Sequence, residues 1–249
     1  MEYDGNRRKI IAKNNVIFKN NNTTLKTQIL FHDRDLKEIY FEKGGVIKDS
    51  SNTIKSTEGK YYLENSKYEF NKRVNVYNND SDIKSFKLDY YSDTEKVFFY
   101  GPTVITGQDY RIFSEKGFYN TKTKNGFFNT KAKIEYSNRT ITGDSLIFDD
   151  LKKYASGKNN VTILDTINKT IIKGNFAEIF KELDSAMITR NSYAIKLLEK
   201  DSLFIKADTL FAIGPEKNRI IKGRYDVRFF KNNMSGKSDK FIMNQKSLF

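Results

Sequence analysis

"ITGDSLIFDD", Ile141 to Asp150, decides the fold once it is seen as one copy of a repeat. Its frame is an aliphatic residue at position 0, a small residue at +2, an apolar or small residue at +5 and a ring at +7. The first pair recurs as Leu25/Thr27, Ile54/Ser56, Ile83/Ser85, Ile112/Ser114 and Ile141/Gly143, at steps of 29 residues. It continues as Ile172/Gly174, Ile205/Ala207 and Met234/Gly236, with steps of 31, 33 and 29. Position +5 is Leu30, Gly59, Leu88, Gly117, Leu146, Ala177, Leu210 and Asp239. Position +7 is His32, Tyr61, Tyr90, Tyr119, Phe148, Ile179, Ala212 and Phe241.

A second alternating element fills the rest of each unit: Val16/Phe18, Val74/Val76, Ala132/Ile134, Val161/Ile163 and Val227/Phe229, often after turn residues such as "GKNN" before Val161. Alternation has the period of a strand. "NFAEIFKELDSAMI" is the one stretch that passes for helical, and its phase in the repeat assigns it to strand. Positions 0 and +2 share one face, whereas +5 and +7 have the opposite parity. Both pairs point inward only if the strand bends or bulges near +3 and +4, where Asp144 and Ser145 lie. Position +1 then faces out, and it is Lys26, Lys55, Lys84, Lys173 or Lys206 in five units, a solvated column that discourages stray edge pairing.

Short paired strands bury their apolar face only by stacking on neighbours, so the expectation is an all-β, elongated repeat fold. Periodicity leaves two architectures open: a parallel β-helix, one coil per unit, or an open jelly roll of two facing sheets with an apolar groove. The whole chain, residues 1–249, is read as a single repeat domain without a linker. It starts and stops in mid-repeat, as a segment of a longer protein would, and "MEYDGNRRKI" has no apolar core of a secretory signal.

The chain has 249 residues, 38% hydrophobic and 14% aromatic, enough for a core, and no cysteine for disulfides or thiolate metal sites. A net charge of +13 favours anionic partners. Lys and aromatic residues interleave as in single-strand nucleic-acid binders, but the aromatics follow the core phase and no such module is present, so no nucleic acid is expected. The letters Gly143-Asp144-Ser145-Leu146 match the motif of serine esterases. Ser145 has no base, however: the lone histidine, His32, precedes it and holds a packing position. Asp89, Asp144, Asp149 and Asp208 lie in separate units and read as turn and cap residues rather than Ca²⁺ ligands. No cofactor is called for, and no unit stands out as a catalytic rung, so a polysaccharide-active β-helix enzyme is the least supported reading.

The unit "ITGDSLIFDD...ASGKNNVTI" resembles the repeat of the OstA family, the organic-solvent-tolerance and lipopolysaccharide-transport proteins. The shared pattern is small-Asp-x-Leu-x-aromatic-Asp, a variable turn, then Gly-Asn-Val; here it is Gly143 to Asp149 and Gly157 to Val161, and it returns as Ala207-Asp208-Thr209-Leu210. "YGPTVI" and "SEKGFYNT" also look like stretches of longer family members, while Gly59, Gly117 and Asp239 depart from the usual Leu. The resemblance implies a non-enzymatic periplasmic protein with an open, twisted β-jelly roll (a "β-taco"). Its apolar trough would hold lipid A acyl chains of lipopolysaccharide. Its end strands would pair with like-folded domains, with head-to-tail self-association as a corollary. The inward residues expected to meet lipid are Ile54, Val74, Val76, Ile83, Ile112, Ile141, Val161, Ile163, Ile172 and Ile205; the competing reading of each is plain core packing. A structural or adhesive β-repeat protein without a lipid cavity is the alternative function.

Overall fold

Each 29-residue repeat folds as one antiparallel hairpin whose two strands both turn a corner at mid-length. The computed structural model describes residues 2–4, 8–20, 22–198, 201–215 and 218–244. They form two compact units, Met1–Lys124 and Asn125–Phe249. The first unit contains β1 (Glu2–Asp4), β2 (Lys9–Asn20), β3 (Thr23–Asp33), β4 (Glu38–Phe41), β5 (Gly45–Lys48), β6 (Thr53–Ser56), β7 (Glu58–Tyr62), β8 (Lys67–Tyr77), β9 (Asp82–Tyr91), β10 (Lys96–Thr106) and β11 (Tyr110–Asn120). The second contains β12 (Asn125–Tyr136), β13 (Arg139–Asp149), β14 (Tyr154–Asp165), β15 (Thr170–Phe180), β16 (Ser185–Leu197), β17 (Ser202–Ile213), β18 (Ile220–Lys231) and β19 (Met234–Asn244). The expectation of an all-β repeat is met, and "NFAEIFKELDSAMI" is strand, turn and strand within β15 and β16.

Pairing within each unit is antiparallel between sequence neighbours, as in β8 with β9 and β14 with β15. This excludes the parallel β-helix. Turns of two to four residues, such as Ser137–Asn138 and Thr166–Lys169, return the chain directly beside itself, whereas a parallel coil needs a long crossover. Each repeat therefore adds two ladder steps, not one.

The expected corner is real, and the return strands build it. On β2, β8, β12, β14, β16 and β18 two successive residues take positive φ: Asn14–Asn15, Lys72–Arg73, Thr130–Lys131, Asn159–Asn160, Arg190–Asn191 and Tyr225–Asp226. Each pair faces one residue of the neighbouring strand, since the register skips from Lys13↔Ile29 to Val16↔Thr27 and from Asn129↔Ser145 to Ala132↔Gly143. Two residues against one is a β-bulge, and the odd residue reverses the parity of every side chain beyond it. Gly44 and Gly101 hold the same corner in two repeats, with φ of 86° and 123°. The chain there breaks into β4 and β5, or turns into Pro102.

Each strand thus has a first arm, carrying positions 0 and +2 or their partners, and a second arm, carrying +5 and +7. The core lies between the arms. Ile83, Ile112, Ile141, Leu88 and Leu146 are all fully buried, whereas Lys26, Lys55, Lys84, Lys173 and Lys206 are exposed. Gly59 stands where other repeats have Leu because Phe41 and Phe70 fill its space; an added Cβ would lie 2.4 Å from the Phe41 ring. Phe99 opposes Gly117 in the same way.

A left-handed backbone costs a side chain about 1–2 kcal/mol, least for Asn and most for β-branched residues. Asn159→Val is expected to lower unfolding stability by about 1–2 kcal/mol, and Asn159→Gly to change it by less than about 0.5 kcal/mol. Urea denaturation of the two variants measures the difference; equal midpoints would show that the corner does not need its left-handed residues.

Candidate functional site

The two arms meet at a mouth, and position +7 decides how it closes. In the first unit +7 is His32 in the first repeat and tyrosine in the next three. The Tyr61 hydroxyl accepts a hydrogen bond from Asn20 Nδ2 at 2.7 Å. Tyr90 donates to Asp49 and accepts from Asn52 Nδ2 at 3.1 Å. The Tyr110 and Tyr119 hydroxyls share a hydrogen bond of 2.8 Å. Each contact ties the second arm to residues at or beside a first-arm turn. Burial pushes the Tyr90 phenol well above its ordinary pKa and Asp49 adds to the rise, so the hydroxyl keeps its proton and the latch holds. Tyr61 stacks on Tyr68 at 4.3 Å and completes an aromatic seal.

In the second unit the same position becomes Phe148, Ile179 and Ala212, losing first the hydroxyl and then the bulk, before Phe241 restores a ring in the last repeat. An apolar cavity of about 50 Å³ opens beside Ile179 and Ala212, walled by Ile163, Ile172, Ala194, Leu203 and Ile205. Tyr136 lines it, and its buried hydroxyl lies beside the Arg139 guanidinium.

Charged side chains close this mouth. Arg219 bridges Asp165 at 3.0 Å and Asp184 at 2.9 Å, and Arg139 reaches the same two carboxylates, 3.2 Å from Asp165. Asn168 donates both its backbone amide and its Nδ2 to Asp165 at 2.9 Å, and Asn138 Nδ2 donates at 2.6 Å. Burial opposes the charge on Asp165, but the Asn168 and Arg139 donors outweigh it and hold the carboxyl below its usual pKa. The Lys196 Nζ donates to the Asn168 carbonyl at 3.3 Å on the cavity rim.

All ten residues expected to meet lipid point inward and are buried. Ile163, Ile172 and Ile205 are brought together in the cavity wall. Ile54, Val74, Val76, Ile83, Ile112, Ile141 and Val161 lie in core that is at most 1% exposed. Ser145 is a half-buried corner residue on the ladder between Asn129 and Lys158, and His32 is half-buried between Ile10 and Ile39. Asp149 caps a turn through the Lys152 amide at 3.0 Å, and Asp144 accepts from Asn160 at 2.9 Å. Asp89 serves otherwise, as an ion-pair partner of Lys67 at 3.0 Å. Sequence reasoning missed Arg139, Asp165, Asp184, Arg219 and Tyr136. The available signal was Arg139 at −2, an inward place where other repeats have Thr23, Asn52, Ser81 or Tyr110.

Residues 1–86 match the family model described as OstA-like protein, which bears out the resemblance expected from the repeat. Comparison with curated protein sequences finds no match. Among solved structures the chain is similar to LptH of Pseudomonas aeruginosa, described as the LptA-homologous periplasmic component of the conserved lipopolysaccharide transport device. The identity is 10% over 43% of this chain and 82% of that one, with a TM-score of 0.41.

Removing one member of a buried ion network leaves its partners charged and unpaired, at about 3–5 kcal/mol. Arg219→Met is expected to destabilise the protein by that order in urea unfolding. Asp165 has a depressed folded pKa, so its contribution is present above the ordinary aspartate value of about 3.9 and fades as pH falls through the lower folded value. Asp165→Asn should flatten stability between neutral pH and that acid limb; an unchanged pH profile would remove Asp165 from the account.

Proposed function

We propose that this chain is a non-enzymatic, OstA-like component of lipopolysaccharide transport and outer-membrane biogenesis, working in the periplasm of a Gram-negative cell. The family match over residues 1–86 supports the class. The observation that carries the ligand reading is the apolar cavity of the second unit, whose lining also includes Tyr136, Arg139 and Arg219. Apolar walls suit an acyl chain and the guanidinium groups suit a lipid phosphate. A water needs at least about 10–15 Å³ of such space, so 50 Å³ admits the tip of one alkyl chain. Loading lipid A requires the arms to part, and the mouth of the second unit, which lacks the tyrosine latches at Ile179 and Ala212, is where they part. The edge of β19, paired only with β18 among the described residues, is the seat for end-strand pairing with a like-folded domain or a second copy.

A structural β-repeat protein is the competing reading, favoured by the closed, latched core of the first unit. Photo-crosslinking separates the two. A photoreactive residue at Ile172 or Ile205 should label lipopolysaccharide or lipid A, and one at Ile54 or Ile83 far less. Ala194→Phe, which fills the cavity, should cut labelling about tenfold or more, the order of lost cavity burial. Failure of labelling at every inward position would leave the structural reading standing.

A further inference from the structure

The outer face of the second unit's first arm differs from that of the first unit in one row. At position −1 and its cross-strand partners, the first unit reads Lys19, Thr24, Lys48, Thr53, Tyr77 and Asp82 from β2 to β9, a polar row. The same row in the second unit reads Leu164, Ile171, Ile195, Phe204 and Phe230 across β14 to β18. These five side chains share one outer stripe about 19 Å long, at about 4.8 Å per strand, in which Leu164, Ile171 and Ile195 are half-buried and the two phenylalanines exposed. Phe204 and Phe230 are 42% and 50% exposed, with their rings 6.4 Å apart.

The hairpins below the stripe are extended. From the left-handed corner to the next position 0 takes 11 residues from Asn14 to Leu25 and from Thr130 to Ile141, but 13 from Asn159 to Ile172 and 15 from Arg190 to Ile205. The projecting ends carry Ile167 and Leu197, 61% and 46% exposed, where first-unit turns read "DSSN" and "NNDS". Above the stripe, two residues along each strand and so about 7 Å away, runs the row Lys173, Tyr193, Lys206 and Arg228. All four are exposed; Arg228 approaches Asp226 at 3.5 Å.

Apolar tips, an apolar row, then a belt of Tyr, Lys and Arg is the layering of an interfacial membrane anchor. Its apolar part enters about 5–10 Å, and its cations lie at the depth of the lipid phosphates. We propose that this face seats on the surface of an anionic phospholipid bilayer. The cation row complements the phosphates; a protein partner packed on the stripe would have no use for the projecting apolar tips. The proposal is independent of what the cavity holds.

Co-sedimentation of the full chain with phosphatidylcholine vesicles, with and without phosphatidylglycerol, tests it. Binding is expected to the anionic vesicles only. Lys173→Glu with Lys206→Glu should weaken it about 30-fold, at about fivefold per surface cation. Phe204→Ser with Phe230→Ser should abolish it. Lys26→Glu with Lys55→Glu makes the same net-charge change in the polar face of the first unit and should cost less than about fivefold. Circular dichroism checks that all three pairs, every residue exposed, keep the fold. Three outcomes would overturn the proposal: no binding to anionic vesicles, equal losses for the two lysine pairs, or self-association that depends on Phe204 and Phe230 without vesicle binding. The last would assign the face to a second copy.

Discussion

The structure depends on a mismatch of one residue. Wherever a return strand sets two left-handed residues against a single partner, inward and outward exchange places, and only then do positions +5 and +7 join positions 0 and +2 in one core. Without it each strand would bury half of its apolar residues and expose the rest. The corner thus converts a flat meander into two facing arms. It does so with Asn, Lys, Arg, Thr and Tyr as well as Gly, so local backbone strain is outweighed by the core that it creates.

Between the arms, one position per repeat sets the bore. Tyrosine at +7 spans the mouth and finds a polar partner on the far side; isoleucine and alanine do not reach. The second unit replaces those latches with an ion network in which two arginines balance two aspartates. The neutral latches, Tyr61 with Asn20 and Tyr110 with Tyr119, are insensitive to salt and to moderate pH. A network of buried charges is stable only while each member keeps its partners, so the same mouth becomes conditional. Apolar bore and conditional mouth coincide, which makes this end of the chain the place to look for a guest.

Much of this was legible in the letters. The 29-residue step, the inward phases and the corner at Asp144–Ser145 all follow from period and parity, because each concerns residues close in sequence. The direction of pairing did not follow: a coil and a hairpin put the same side chains inside, and turn length alone distinguishes them. The cavity was only partly legible. Ile163, Ile172 and Ile205 were among the inward residues, and the loss of bulk at +7 stood in the letters as Ile179 and Ala212, on the second arms of the strands that carry Ile172 and Ile205. Its consequence was not legible, because a small residue at +7 opens a cavity only if no neighbouring strand fills the space. The Arg139–Asp165–Asp184–Arg219 network was illegible because its members come from four separate points of the chain.

The corner also constrains how such a chain can change length. Removing one residue from a return strand would erase the mismatch and turn an arm inside out, whereas removing a whole 29-residue repeat would leave every neighbour in phase. Hairpins can grow, but only by pairs, one residue on each side of the turn. The two long steps, 31 and 33, exceed the basic step by two and by four. Variation within this molecule is quantised: its steps differ by even increments, as a chain must whose inward and outward faces alternate residue by residue.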